Sequence, residues 1–547
     1  MSEIMRDGFG GTETMPTENP LLIAHLDLKG VRYRQDFMST YLQRLKRLGY
    51  NALLVEYENC FPFQGMDFPE RSDAEWSPEF FRMFLAEARG LGLEIIPLQQ
   101  SLAHLEYLFR DESCSALALS DGVPSDLDIF NPAARAWMRQ LLMQVLEAHP
   151  SSRFIHLGMD EARRLARFTR EAGLDFTALF LEYLDELCQL CDAHGKIPMI
   201  WGDMLADHLT SENLPEICAF AGRVVVVHWD YLGTEEVQEH VRLGGTRCSR
   251  QLTEPGNQSL ARPPHWEFNS GYFEDWPESV LERIAPYRVG PRHMQALFPA
   301  AFWKDLGFQV IGGAAAAITA DGSLLPFYHQ RMGNVALWLD RVERYGLEGV
   351  IVTQWSRENS LAIPNVLPDT AWPVLTYAAC LYRTRFITKE TAHEHLFFRG
   401  LCGEDTDRLF HQIGLCRDGW QQAPALVHKM MALADSLLDG AWEWQLIGKL
   451  VEWFSLVQKV EKGKDQFRRY GGLGRLPARG WEERVLALVA EATAALPPLE
   501  AGLSRLVRER YEGQAVDEWL TVVISRFRRE LEEFGDRVRA EMEQVGK

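Results

Sequence analysis

Arg153-Phe154-Ile155-His156-Leu157-Gly158-Met159-Asp160-Glu161 is the stretch on which the reading of this chain turns. A short apolar run stops at Gly158, two adjacent carboxylates follow, and a basic, helix-prone segment opens at Arg163. In a chain that alternates strands and helices, this pattern predicts a buried parallel strand. That strand would deliver Asp160 and Glu161 to the end of a barrel where active sites lie. The plainer alternative is a solvated helix start, since the helix macrodipole stabilises acidic residues in a first turn. Position weighs against it, because the pair directly follows a hydrophobic strand and a glycine and so faces a cleft. His156 adds a polar group inside the same strand; taken alone, such a histidine is more often a satisfied core residue than a ligand.

Working outward, the alternation repeats on both sides. Upstream, residues 21–30 form a strand ending in Asp27 and Lys29, and residues 35–48 a helix. A second strand at 51–58 and a third at 93–99 follow, with Ser77-Pro78 and Asn131-Pro132 reading as an N-cap and a proline at the first helical position. Downstream come strands at 197–203, 223–231, 309–317 and 347–355. Eight strands with intervening helices are the count that closes a (β/α)8 TIM barrel. No glycine-rich turn follows any of them to favour an open dinucleotide-binding sheet. Residues 1–20 read as a flexible segment, 21–370 as the catalytic barrel, and an irregular insertion with Trp266, Tyr272 and Trp276 falls near 245–290. From about Ala371, helical periodicities at 426–438, 442–460, 484–495 and 516–543 predict an all-helical C-terminal domain over 371–547. It either covers a barrel face or builds a dimer interface.

Bulk composition narrows the class. A chain of 547 residues with 46% hydrophobic content is a globular protein of more than one domain. A net charge of -20 and no basic stripe argue against nucleic acid as a partner. The first twenty residues lack the apolar core of a secretion signal, and no run of 18 apolar residues appears, so no membrane span is expected. Nine scattered cysteines suit reduced thiols in a cytoplasm. Cys188 and Cys191 make a C-x-x-C inside a helical pattern with no second pair at zinc spacing, so no metal or redox role is assigned to them.

The strand ends present Asp27 and Lys29, Glu56 and Tyr57, Gln99 and His104, Asp160 and Glu161, Trp201 and Asp203, Trp229, Asp230 and Tyr231, then Trp355 and Arg357. Aromatic faces beside carboxylates suit a pyranose, whose axial C–H groups pack on rings while its hydroxyls take hydrogen bonds. Packing under loops explains any one tryptophan as well, but not all three. Metal-dependent hydrolysis is the rival chemistry, with His25, His156 and His228 near strand ends. However, no H-E-x-x-H occurs, and His393-Glu394-His395 falls in the helical tail.

His156-Leu157-Gly158-Met159-Asp160-Glu161 resembles the H-x-G-x-D-E signature of family 20 glycoside hydrolases, the β-N-acetylhexosaminidases. The resemblance extends, in order, through His25-Leu26-Asp27-Leu28-Lys29-Gly30, residues 53–62, Ile95-Ile96-Pro97-Leu98, Ala103-His104-Leu105-Glu106, Trp201-Gly202-Asp203-Met204-Leu205 and Trp229-Asp230-Tyr231. These blocks are most similar to hexosaminidase D and its bacterial relatives. The resemblance implies an exo-acting enzyme that needs no cofactor and acts on glycans with terminal N-acetylglucosamine or N-acetylgalactosamine. Its mechanism would be retaining and substrate-assisted, the 2-acetamido oxygen attacking C1. Glu161 would be the acid/base and Asp160 would orient the acetamido group. Tyr231 would bind its carbonyl, and Trp201, Trp229 and Trp355 would wall the pocket. Asp27 and Lys29 would hold ring hydroxyls, with Asp203, Asp230, His104 and Arg357 also in the binding set. Gly202 stands where relatives often carry an aspartate, and Met159 where they carry a small residue. Loss of one polar contact and a reshaped pocket are therefore expected. A glycan-binding barrel without turnover and a metal-dependent hydrolase remain the alternatives.

Overall fold

The computed structural model describes residues 19–66, 75–109, 112–119, 124–210, 212–235, 237–238, 281–282, 284–289, 293–321, 324–357, 362, 364, 366–388, 441–471 and 481–545. The sequence readings at 245–280, 393–395 and 426–438 lie outside them.

Eight parallel strands close on themselves: β1 Leu21–Asp27, β2 Ala52–Glu56, β3 Glu94–Leu98, β4 Phe154–His156, β5 Ile197–Trp201, β6 Val225–Trp229, β7 Gln309–Ala317 and β8 Gly349–Gln354. Each pairs with its neighbour in chain order, and β8 returns to β1 from Leu21↔Gly349 to Ala24↔Val352. This is the (β/α)8 barrel that the alternation of apolar runs and helices implies. The strands are buried on both faces, as a parallel sheet between a packed interior and a ring of helices requires. Ile23, Leu54, Ile96, Met199, Val227, Ile311 and Ile351 fill the interior, with Trp201 above them. A second, larger core lies between barrel and helices.

The outer ring includes α1 Met38–Leu48, α2 Pro78–Gly90, α3 Pro132–Ala148, α4 Phe176–Ala193, α5 Leu214–Cys218, α6 Phe298–Asp305, α7 Tyr328–Tyr345 and α8 Trp372–Tyr382. The caps form as expected. Ser77 accepts from the Phe80 amide at 3.1 Å, and Asn131 from the Ala133 amide at 2.9 Å. In α4, Cys188 and Cys191 are buried, unbridged, and shifted toward the neutral thiol by that burial. The helix α8 packs on β1, β7 and α7, so the ring takes in residues that the sequence reading gave to the tail. Its residues are apolar almost all round, which hides the one-sided stripe of a barrel helix.

Beyond it lie α9 Ala441–Gly471, α10 Trp481–Arg510 and α11 Arg526–Val545. The stretch Glu483–Arg510 is long and apolar enough to cross a membrane by length and composition, although no run of 18 apolar residues occurs. Here it packs against α9 and α11.

One buried ion pair braces the end of the ring at which the strands have their C-termini. Arg331 on α7 grips Asp321 through Nε at 3.1 Å and Nη2 at 2.7 Å, and Nη1 donates to the Tyr231 carbonyl. Both side chains are almost wholly buried, so removing one partner strands the other's charge. Asp321→Ala is expected to lower stability by about 3 kcal/mol, seen as a fall in the thermal midpoint. An unchanged midpoint would mean that the pair adds nothing.

Candidate active site

Side chains of consecutive residues in a strand point to opposite faces, so two adjacent acids can share a cavity only if the strand has ended. It ends at His156. Gly158, Met159 and Glu161 then take left-handed backbone angles, with φ of 68°, 69° and 51°. The turn is tied down on every side. The Leu157 carbonyl accepts from Ser101 N at 3.1 Å and Oγ at 2.7 Å, and the Gly158 carbonyl accepts from Trp201 N at 3.0 Å. His156 Nδ1 accepts from the Gly158 amide at 3.0 Å. Burial pushes the His156 imidazole down to about 3, which keeps it neutral and able to accept. Only glycine fits at 158, because a Cβ there would lie 1.8 Å from Gln100 Oε1.

The acids leave this turn with different partners. Asp160 Oδ1 accepts from Gln100 Nε2 at 3.1 Å, and its Oδ2 lies 3.4 Å from His104 Nε2. Glu161 Oε2 lies 3.6 Å from the same nitrogen, and Oε1 accepts from Arg163 Nη2 at 2.5 Å. Burial opposes a charge on His104, yet the two carboxylates hold it well above the ordinary imidazole range. The Glu161 amide donates to Asp203 Oδ2 at 2.9 Å, while Asp203 Oδ1 accepts from Trp229 Nε1 at 3.3 Å. Asp203 thereby fixes the acid's backbone and one aromatic wall together.

A charged wall from β1 and β2 stands beside the pair. Lys29 Nζ donates to Glu56 Oε2 at 2.5 Å and lies 3.4 Å from Asp27 Oδ1 and 4.2 Å from the centre of the Trp355 ring. Burial works against the ammonium, but Asp27, Glu56 and Glu58 outweigh it and hold Lys29 above its ordinary range. Glu56 is held well below the carboxylate range, as Lys29 and His25 override its burial. Glu58, with φ of 45° and Oε2 buried without a hydrogen-bond partner, is pushed up to about 8, chiefly by burial. Gln100 Nε2 also reaches Glu56 Oε1 at 3.5 Å, so one amide joins this wall to Asp160.

The aromatic side is continuous. Trp229 and Tyr231 stack with centroids 5.1 Å apart, Trp355 Nε1 donates to Tyr231 Oη at 3.1 Å, and Trp201 and Trp355 lie 6.0 Å apart. Trp201 is 1% exposed, above the interior core and 4.3 Å from the His156 ring, which makes it the floor of the cup.

The candidates therefore fall into three joined groups, while Asp230 serves the turn that follows it and Arg357 also acts on Glu58 of the charged wall. Asp230 Oδ1 caps the following turn, accepting from Leu232 and Gly233 amides at 2.9 Å. Arg357 Nη1 donates to the Ala362 carbonyl at 3.3 Å. Met159 does not reshape the pocket, because it is fully buried in the layer between barrel and helices. A side chain at 202 would meet Val226 Cγ1 at 2.7 Å from its Cβ, so the space left at Gly202 is between strands. Glu56, Glu58 and Gln100 are additions to the candidate set. The signal for Glu56 was a charge closing an apolar strand. Tyr57, its neighbour, points instead to His149 at 3.0 Å. Among the described residues, no group of three or more His, Cys, Asp or Glu side chains is arranged to hold a metal ion.

No protein-family model matches the chain. Hexosaminidase D of Bos taurus is 28% identical over 221 residues, 38% of this chain and 62% of that protein. Hexosaminidase D of Homo sapiens is 28% identical over 233 residues, 40% of this chain and 47% of the relative. The resemblance read from the sequence is to the same proteins, and the chain spans less than two thirds of either. Among solved structures, Flavobacterium johnsoniae chitobiase is 13% identical with a TM-score of 0.44, covering 96% of this chain and 72% of that one. A β-N-acetylhexosaminidase from Bacteroides fragilis is 14% identical with a TM-score of 0.41, covering 70% and 71%.

Gly158→Ala should cost about 1–3 kcal/mol from backbone strain alone and displace Gln100 from Asp160. A variant with unchanged thermal midpoint and activity would overturn that account. Glu58 also makes a pH signature. Its folded pKa lies above the unfolded value of about 4.3. Its stabilising contribution is therefore complete below that value and lost as pH rises through about 8. Glu58→Gln should gain stability relative to wild type as pH is raised across that window. Parallel pH curves for the two proteins would refute it.

Proposed function

We propose that this protein is an exo-acting β-N-acetylhexosaminidase that removes terminal N-acetylglucosamine or N-acetylgalactosamine by a substrate-assisted, retaining mechanism. The observation that carries the reading is the acid pair, joined through His104, at the mouth of an aromatic-walled barrel. The 28% identity to hexosaminidase D supports it. In this reading no side chain attacks the sugar. The 2-acetamido oxygen attacks C1 and closes an oxazolinium ring. Asp160 accepts from the acetamido N–H and offsets the developing positive charge, and the Gln100 amide keeps it oriented. Tyr231 accepts from Trp355 and keeps its own proton to donate to the acetamido carbonyl. Glu161 protonates the departing oxygen, then takes a proton from the water that opens the ring. Lys29 and Asp27 hold ring hydroxyls, and Trp229 and Trp355 pack on the pyranose.

A second reading is a glycan-binding barrel without turnover. The ion pair between Arg163 and Glu161 favours it, because a carboxylate held by a guanidinium is a poor proton donor until the contact opens. Turnover decides between them. The wild type is expected to hydrolyse chromogenic N-acetylhexosaminides, and Glu161→Gln to lose on the order of 10²–10⁴ in kcat. Equal rates for the two would end the proposal. Glycan binding by calorimetry with no hydrolysis would establish the second reading. A substrate lacking the acetamido group should react poorly; if it reacts at a comparable rate, the nucleophile belongs to the protein. Loss of activity with a chelator would point to the metal-dependent alternative.

A further inference from the structure

We propose that the C-terminal helical region completes the sugar site, with Tyr511 as a positioning residue that holds the loops after β1 and β8 in register. This rests on the reading of the site given above. Both loops leave the C-terminal ends of their strands and so lie on the face that carries Asp160 and Glu161. Residues 28–34 follow β1 and include Lys29. The loop after β8 begins with Trp355 and Ser356 and ends in the turn Pro368–Ala371.

The tail grips both loops at one point. After α10, Tyr511 and Glu512 pair antiparallel with Tyr33 and Arg32, and the Arg34 amide donates to the Arg510 carbonyl at 2.9 Å. The pairing begins three residues beyond Lys29. On the other side, Tyr511 Oη donates to Asp369 Oδ2 at 2.7 Å and accepts from the Asp369 amide at 2.9 Å. Arg510 lies with its guanidinium 3.7 Å from the Phe37 ring centre and 4.3 Å from that of Trp442, bridging barrel and tail.

Asp369 shows why the grip is needed. Its side chain is fully buried, and burial pushes its carboxyl up to about 6. Oδ1 is satisfied within the barrel by Trp372 Nε1 at 2.7 Å. For Oδ2 the hydrogen bond comes from Tyr511, and of the two cations that act on the carboxyl the stronger, Arg510 with Nε at 3.8 Å, is also from the tail, while the weaker, Arg44, is on α1. A buried carboxylate left half satisfied pays its full desolvation cost, so the turn would move if the tail let go.

The movement would reach the pocket. The Val366 amide donates to the Ser356 carbonyl at 3.3 Å, and Ser356 N and Oγ both donate to Asp27 Oδ2 at 3.1 Å. Asp27 Oδ1 accepts from the Lys29 amide at 3.0 Å. A depression lined by His25, Asp27, Trp355, Ser356, Val366 and Pro368 lies along this path, next to Asp369. The groups at its end contact the sugar in ground state and transition state alike, so loosening them should raise KM and spare kcat.

The test uses the full chain. Tyr511→Phe removes one hydroxyl and keeps the ring that packs 5.2 Å from Tyr33. It is expected to raise KM for a chromogenic N-acetylhexosaminide about tenfold, with kcat within about twofold. Amide hydrogen exchange over residues 28–34 and 366–371 should quicken. Phe527→Leu, which loosens the tail core against Trp453, serves as the control and should lower the thermal midpoint without moving KM. An unchanged KM in Tyr511→Phe overturns the proposal, as does a control that raises KM equally. If the wild type hydrolyses no hexosaminide, the functional reading falls. The exchange experiment still judges the tail's grip, and unaltered exchange in Tyr511→Phe overturns it.

Discussion

Two side chains adjacent in sequence must enter one cavity, and an extended backbone forbids it. Everything distinctive about this barrel mouth follows from how that conflict is resolved. The strand stops at His156, and left-handed residues at 158, 159 and 161 turn the backbone so that Asp160 and Glu161 enter the same space and both reach His104 Nε2. Non-glycine residues at such angles cost free energy unless surrounding bonds over-determine them. Here Ser101 contributes two, and His156, Trp201 and Asp203 one each. These donors and acceptors come from β3, β4 and β5 or the loops just after them, so the pairing of the acid strand with its two neighbours is what holds the acid turn.

The same bonds join the turn to its walls. Asp203 touches the Glu161 backbone with one oxygen and the Trp229 indole with the other, and Gln100 touches both Asp160 and Glu56. Neither bridging residue needs to meet a substrate to matter. Each sets the distance between an acid and a surface against which a ring could pack.

Much of this was legible in the sequence, for identifiable reasons. Parallel strands are continuous apolar runs, so all eight could be found, and β7 at Gln309–Ala317 agrees to the residue. Proline at the first helical position marked α2 and α3. What sequence hid was direction. Met159 adjoins the acids but points into the outer core, because a left-handed residue does not follow strand alternation. Asp230 ends a strand among candidate residues, yet one of its oxygens closes a local turn. Gln100 carries no charge and no motif, and its importance appears only when Gly158 opens space for its amide. The helix α8 lacks an amphipathic stripe because the barrel strands, α1 and α7 bury it from several directions.

Charge balance on the β1–β2 wall explains why its geometry is rigid. Asp27, Glu56 and Glu58 surround Lys29 in a buried space where uncompensated charge is costly. Three ionised carboxylates would outnumber the Lys29 ammonium, and with the Arg357 guanidinium that also acts on Glu58 a surplus of negative charge would remain. The cluster lowers that surplus in two ways. Glu58 holds its proton to about pH 8 and so is mostly neutral at pH 7. Asp27 takes two donors from Ser356 and one from the Lys29 amide. Lys29 is then committed to Glu56 and cannot swing toward solvent without uncovering it. An ammonium fixed in this way, 4.2 Å from the Trp355 ring centre, is held by its ion pairs rather than by solvent. The cost of ordering this wall is therefore met when the chain folds, and any ligand it took would meet groups already in place.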